Sequence, residues 1–284
     1  MTSNIRHLVI SRYNEQLEWM RILPLHEFDH VFIYNKGETD LDLDCTRHCK
    51  SFSIIALPNV GKCDHTYMHH ILTNFYALGD VTVFLPGCCD DHIKWFHTII
   101  TVTVALYTND SMFVAHEYKE GIRNHFVSMY MDSYESRDHR NRELTNANKA
   151  LHTTGSMLAS PIRPFGLWYA ANFPNCDIHH VAYFGIFAVS KRHVRNRDFD
   201  SYVELYKYVN THPNPEVGHY FERSWLAIFN PVAVGPHIYP IPDNSFFNFP
   251  PPEHGADADQ TKTMYSLEDL CAILGLKTPP VDKA

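Results

Sequence analysis

Short apolar runs broken by turn signals fill the first third of the chain, and their spacing predicts strands alternating with helices. His7–Tyr13 is a β-rich apolar run that ends at the polar pair Asn14-Glu15, so it reads as a buried first strand. Leu17–Leu23 follows as a helical segment stopped by Pro24, whose ring cannot continue a helix. Val31–Asn35 is a second strand closed by Lys36-Gly37, Glu38–Asp44 is an acidic solvated loop, and Phe52–Leu57 is a third strand. Met68, Ile71, Leu72 and Phe75 then fall at helical spacing, and Val81–Leu85 returns to strand character before breaking at Pro86-Gly87. Strand, glycine-containing loop, helix and strand make a βαβ unit, for which a right-handed crossover onto a parallel sheet is the default.

Further along, the pattern is mixed. Ile93–Tyr107 combines helical spacing with β-branched residues, and Ser133–Ala150 is polar enough to be an exposed helix or a flap. Pro161–Phe173 reads as a loop dense in aromatics. Tyr183–Ser190 reads as a buried strand containing Gly185, and Asp200–Val209 as a helix burying Tyr202, Leu205, Tyr206 and Val209. One helix is expected over Val217–Phe229, with Val217, Phe221, Trp225 and Ile228 toward the core and His219 and Glu222 sharing another stripe. Pro231–Gln260 is proline-rich and reads as an extended segment wrapping the surface. Ser266–Gly275 carries both helix ends, with Ser266 and Asp269 three apart and Gly275 as terminator. The expected fold is therefore α/β, with one domain over 1–230 and the 231–284 segment and its short helix belonging to the same globule.

Composition narrows the class. With 284 residues and 45% hydrophobic content the chain can bury a large core. A net charge of -8 argues against a sequence-independent grip on nucleic-acid phosphates. The longest apolar stretch, around Thr98–Tyr107, is too short to cross a bilayer, and the amino terminus lacks the pattern of a secretory signal. Seven cysteines at irregular spacing fit reduced thiols, so a soluble cytoplasmic protein is expected. The absence of GxGxxG, GxxxxGK[ST], GxSxG and HExxH turns the reading away from classical dinucleotide enzymes, P-loop ATPases, α/β-hydrolases and zincins.

Several groups carry candidate chemistry. Pro58–Lys62 precedes a helix, where free N–H groups and the dipole favour an anion, and Lys62 adds charge there; an ordinary connection has the same appearance. Asp90, Asp91 and His92 follow a strand end and could hold a divalent metal carried by phosphates, or supply a base; Asp91 could equally cap the helix that follows. His65 and His69, four apart beside Cys63 and Asp64, are spaced for a helical metal pair or for ordinary helix flanks. Glu222 could be a general base or an ion-pair partner of Arg223.

A resemblance adds to this reading. Val9-Ile-Ser-Arg-Tyr-Asn-Glu15, Ile33-Tyr-Asn-Lys-Gly37, Leu57-Pro-Asn-Val-Gly-Lys62 with His65-Thr-Tyr67, Asp80-Val-Thr-Val-Phe-Leu85 with Gly87 and Asp91-His92, Phe187-Ala-Val-Ser190, and Gly218-His-Tyr-Phe-Glu-Arg223 with Trp225 and Ile228-Phe229 resemble the DUF3431 family. That family occurs in fungi, bacteria and large algal viruses, and its members are similar to GT-A glycosyltransferases, the enzymes that use nucleotide-diphospho-sugars. More distantly, the chain is similar to the capsid-glycan glycosyltransferases of chloroviruses.

The resemblance implies a GT-A-like domain with a mostly parallel central sheet flanked by helices. It implies transfer from a UDP-sugar, xylose among the candidates, to a hydroxyl of a glycan or glycoprotein acceptor, in the host cytoplasm for a viral member. Ser11, Arg12, Tyr13, Asn14 and Asn35 would then border the nucleotide, with Tyr13 stacking. Asn59, Gly61 and Lys62 would meet the diphosphate, and Gly87, Asp90, Asp91 and His92 the donor sugar or an Mg²⁺ or Mn²⁺ ion. Glu222 with His219 would deprotonate the acceptor in an inverting displacement, Asp91 being the second choice, and the acceptor would lie against Trp168 and Tyr169. Two departures stand out: the Asp-x-Asp of GT-A enzymes is absent, with Pro86 where the family pattern has Gln, and Lys62 replaces Arg, which keeps the charge but not the bidentate fork. Three other classes remain open: a non-catalytic carbohydrate- or nucleotide-binding protein, a metal-dependent hydrolase using the Asp/His cluster, and a purely structural capsid or assembly protein.

Overall fold

A computed structural model describes residues 4–38, 41–131, 157–229, 238–240, 266–273 and 275–276. Four strands form the parallel half of the sheet: β1 (Arg6–Arg12), β2 (His30–Asn35), β3 (Phe52–Ala56) and β4 (Val81–Pro86). Four more complete it: β5 (Met112–Glu117), β6 (His180–Val181), β7 (Phe187–Ser190) and β8 (Ile238–Pro240). The order is β3-β2-β1-β4-β7-β5-β6, and β8 also pairs with β5. β1 is parallel to both β2 and β4, but β7 runs antiparallel to β4 and to β5.

The sheet is therefore mixed, which corrects the mostly parallel sheet that the resemblance implied. The reason is physical: β7 is buried at all four positions, and a continuous apolar run carries no signal of its direction.

Period-2 alternation sends side chains of one strand into two separate cores. Val9 of β1 and Phe84 of β4 join Tyr67, Met68 and Ile71 of α1 (Lys62–Thr73) on one face. Leu8, Ile10, Val83 and Leu85 pack on the other face against Ile99, Ile100 and Val102 of α2 (His92–Thr108). The β-branched content of α2 is overridden by this burial, which makes the mixed segment one long helix.

Other elements are α3 (Gly121–His125), α4 (Phe165–Asn172), α5 (Lys191–Val194) and α6 (Phe199–Tyr206), then α7 (Val217–Glu222), α8 (Trp225–Ile228) and α9 (Leu267–Ile273). Four differ from the sequence pattern, the first being the strand expected over Tyr183–Ser190, which is confined to β7 (Phe187–Ser190), with Gly185 at φ +66° before it. The segment before Pro24 is a 3₁₀ turn, Glu18–Ile22. The aromatic segment after Pro161 contains α4. The single helix expected over Val217–Phe229 is broken into α7 and α8 at Ser224, whose φ of -122° lies outside the helical range and whose carbonyl accepts the Ile228 N–H. The expected inward stripe holds across that break, since Val217, Phe221, Trp225 and Ile228 are all buried.

At the carboxyl-terminal helix Ser266 and Asp269 form the reciprocal cap read from the sequence, and Gly275 takes φ +67°. Buried Glu216, just before α7, gathers the chain around it. It accepts the backbone N–H of Met131 and of Ser160 and the Tyr220 hydroxyl, and it pairs with Arg163 at 2.8 Å. The segments read as an exposed flap and as a proline-rich wrap lie outside the described residues, apart from β8. Among the described residues no helix is long and apolar enough to cross a membrane, and the seven cysteines form no disulfide.

Candidate functional site

The strand order reverses direction between β1 and β4, because β2 and β3 extend the sheet to one side of β1 and β4 lies on the other. In open α/β sheets the crevice outside the carboxyl ends of two such strands is where ligands bind. Here those ends are Arg12–Glu15 after β1 and Gly87–Asp91 after β4. The Gly87 N–H donates to the Ser11 carbonyl at 2.7 Å, and its own carbonyl accepts the Trp19 indole N–H at 2.8 Å. The Glu15 carboxylate lies against Gly87 and also accepts the Tyr13 N–H at 2.6 Å.

Not every polar side chain of this rim faces the crevice. The Ser11 hydroxyl donates to Thr66 of α1 and is buried. The Arg12 guanidinium is fully buried and donates to the Glu15 carbonyl at 2.9 Å and to Asn35 Oδ1 at 2.7 Å. Asn35 Oδ1 also accepts the Gly37 N–H. These three residues brace the loops after β1 and β2, while Tyr13 and Asn14 remain partly exposed at the rim.

The loop entering α1 is built by backbone geometry. Gly61 caps the helix at φ +56°, and a Cβ there would come within 2.0 Å of the Val209 carbonyl, so only glycine fits. Lys62 also takes a positive φ, +49°. Lys36, at the end of β2, donates its buried ammonium to the Val60 carbonyl at 2.6 Å and to the Lys62 carbonyl, which ties β2 to this turn. Burial pulls the Lys36 ammonium down to about 8, against the pull of Cys63, Asp64 and Glu15. Asn59 lies partly exposed in the same loop.

α7 closes the other side. The Lys62 ammonium lies 3.5 Å from Nε2 of His219. Burial lowers the Lys62 amine from its usual range, against the pull of Asp64, Glu222 and Cys63; in its charged form it would donate to this Nε2, with the ring proton on Nδ1. Burial, then the charges of Lys62 and Arg223, lower the His219 imidazole to about 3, which keeps it neutral. One turn on, Glu222 accepts the Phe184 N–H at 2.9 Å through Oε1, and Oε2 stands 3.6 Å from Arg223. Its side chain keeps 27% of its surface exposed, enough to meet a ligand.

On the β4 side, Asp91 accepts the Lys94 N–H at 3.3 Å and its carbonyl receives Trp95, so it caps α2. Asp90 is partly exposed beside Cys88, whose thiol receives the Lys94 ammonium at 3.1 Å. His92 is the first residue of α2. Among the described residues no group of three or more His, Cys, Asp and Glu side chains is arranged to hold a metal. Asp90 and Asp91 therefore fit only a divalent ion that phosphate oxygens and water also ligate, the usual manner of Mg²⁺. His65 and His69 sit apart from this rim: His65 stacks between His69 and Tyr206 and meets the Tyr206 hydroxyl at 2.8 Å.

The structure brings Lys62 and His219 together, with Glu222 one turn further along α7; Tyr13, Gly87, Asp90 and Asp91 follow the carboxyl ends of β1 and β4, and Asn59 and Gly61 lie in the loop entering α1. Trp168 and Tyr169 are corrected: α4 buries both completely among Phe165, Phe173 and Tyr220, so neither offers an acceptor a face. Sequence reasoning missed Glu15, Lys36 and Asp64 as members of the site. Glu15 and Lys36 each fall just after a strand, within a motif that carries the family resemblance, a position that could have marked them.

The fold is that of a mixed-sheet α/β protein with ionisable side chains near the switch point of its sheet. The chain belongs to the DUF3431 family, described as a protein of unknown function, whose profile matches residues 8–238. No curated protein matches it.

Proposed function

We propose that this protein transfers a sugar from a nucleotide-diphospho-sugar to a hydroxyl of a glycan acceptor, as a GT-A-like glycosyltransferase. The observation that carries the reading is the meeting of Lys62, at the amino terminus of α1, with His219 and Glu222 of α7 beside the carboxyl ends of β1 and β4. In that juxtaposition an anion site and a partly exposed carboxylate would serve one donor and its acceptor, which is what a phosphorylated donor and a hydroxyl nucleophile require.

In this reading Tyr13 and Asn14 border the base and ribose, with Ser11, Arg12 and Asn35 as the frame behind them. The diphosphate lies against Asn59, Gly61 and Lys62, where helix dipole and ammonium act together. Asp90 and Asp91 are the residues that would hold Mg²⁺ or Mn²⁺, and such an ion would supply charge neutralisation of the leaving diphosphate. Glu222 takes the proton of the attacking hydroxyl, giving inversion at the sugar carbon. His219 stays neutral with its Nε2 turned to Lys62, so it fixes the ammonium rather than competing for that proton. UDP is the expected nucleotide and xylose a candidate sugar.

Incubation with a panel of nucleotide sugars, with and without glycan acceptors and with Mg²⁺, Mn²⁺ or chelator, tests the reading. Release of nucleoside diphosphate is expected to depend on an acceptor. Acceptor-independent release abolished by chelator would instead identify a hydrolase, and binding without release a non-catalytic module.

A further inference from the structure

Asp64 lies in the first turn of α1 with its carboxyl group buried against α7. A Cβ added at Gly218 would meet Asp64 Oδ2 at 3.0 Å, so the carboxyl group packs closely against α7 at this position. Gly218 and Glu222 are four apart on α7, which places them on one face of the helix. The Asp64 carboxyl therefore points at the stripe that carries Glu222, and Glu222 is the strongest charge acting on it.

We propose that Asp64 is a positioning residue that takes the one proton of a carboxyl pair with Glu222, leaving Glu222 as the ionised member that meets the acceptor hydroxyl. The proposal rests on the transfer reading of this cleft. Two carboxyl groups that share a site cannot both ionise readily, and the proton settles on the one whose anion is solvated least. Glu222 has the partners of an anion, namely the Phe184 N–H, Arg223 and partial contact with water. Asp64 is buried, and burial followed by the charge of Glu222 pushes its carboxyl well above the usual carboxylate range. The groups facing it are Glu222 from α7, Lys62 and Cys63 from its own helix, and Lys36 from β2; the two lysines pull the other way. With Asp64 neutral, the single negative charge of the pair lies where the acceptor proton arrives.

Two kinds of measurement test this. Infrared difference spectroscopy of the full chain at pH 7, wild type minus Asp64→Asn, is expected to show a protonated carboxylic acid carbonyl lost in the variant. Its absence overturns the proposal, and this reading needs no turnover, so it separates failure here from failure of the transfer reading. In steady-state transfer, Asp64→Ala is expected to lower kcat roughly tenfold to a hundredfold, the scale of a misplaced base, with donor affinity unchanged. Asp64→Asn, which keeps the shape and neutrality, is expected to rescue most of that loss; a loss as deep as that of Glu222→Gln overturns the proposal.

The sign of the pH effect gives a third check. A carboxyl whose folded pKa is raised stabilises the fold below its unfolded pKa and loses that contribution as pH rises through the folded value. Asp64→Asn should therefore gain Tm relative to wild type as pH is raised from 5 to 9, and a variant Tm that falls relative to wild type over that range contradicts the proposal.

Discussion

Glu222→Gln is expected to lower kcat by about 10²–10⁴-fold while leaving donor affinity unchanged, the range that loss of a positioned general base costs. Glutamine keeps an oxygen at Oε1, so the Phe184 N–H keeps its acceptor and the turn before β7 keeps its shape. What disappears is the proton acceptor and the charge facing Arg223 at 3.6 Å. That ion pair is partly exposed, where such pairs contribute little to stability, so the fold is expected to survive. Transfer kinetics combined with calorimetric donor titration separates the two effects. Unchanged turnover with normal folding would remove Glu222 from the mechanism.

The second large effect is acid instability at a pH where carboxylates are still ionised. His7, His65, His70, His97 and His219 are all buried, and burial is the first cause that lowers each of them, His7 to about 4 and the other four to about 3. In the unfolded chain each returns to about 6.5. Between these values the unfolded state binds more protons, so stability falls as pH drops below about 6.5. Each histidine contributes a loss approaching about 1.4 kcal/mol per pH unit in that window. Several acting together amount to several kcal/mol, a large part of a typical domain's 5–15 kcal/mol. Asp64 opposes the trend, because its raised carboxyl favours the fold in acid, but it is one group against five. The urea midpoint is expected to fall steeply from pH 7 to pH 5, and a flat midpoint over that span contradicts the assignment of these rings as buried and neutral.

Much of the parallel half of the sheet was legible because β1, β2, β3 and β4 are apolar runs bounded by Asn14-Glu15, Lys36-Gly37, Pro58 and Pro86-Gly87. The direction of β7 was not, since Phe187–Ser190 is buried throughout and reads alike either way. Aromatic density around Trp168 could not distinguish a ligand-facing loop from a core helix, because Trp and Tyr serve both. The meeting of Lys62 with Glu222 depends on contacts between residues far apart in sequence, which periodicity does not encode; only the motif order of the family pointed to it. Asp64 was hidden for another reason: an acid in the first turn of a helix is ordinary, and only its burial against Gly218 sets it apart.

The central claim is that the crevice between β1 and β4 takes a nucleotide-sugar donor. A thermal-shift panel of nucleotide sugars on the full chain measures this directly. A donor that binds only the folded state, supplied at 100 times its Kd, is expected to raise stability by about 2.7 kcal/mol and Tm with it. A Tm unmoved by every nucleotide sugar in the panel, with and without Mg²⁺ or Mn²⁺, would contradict the account.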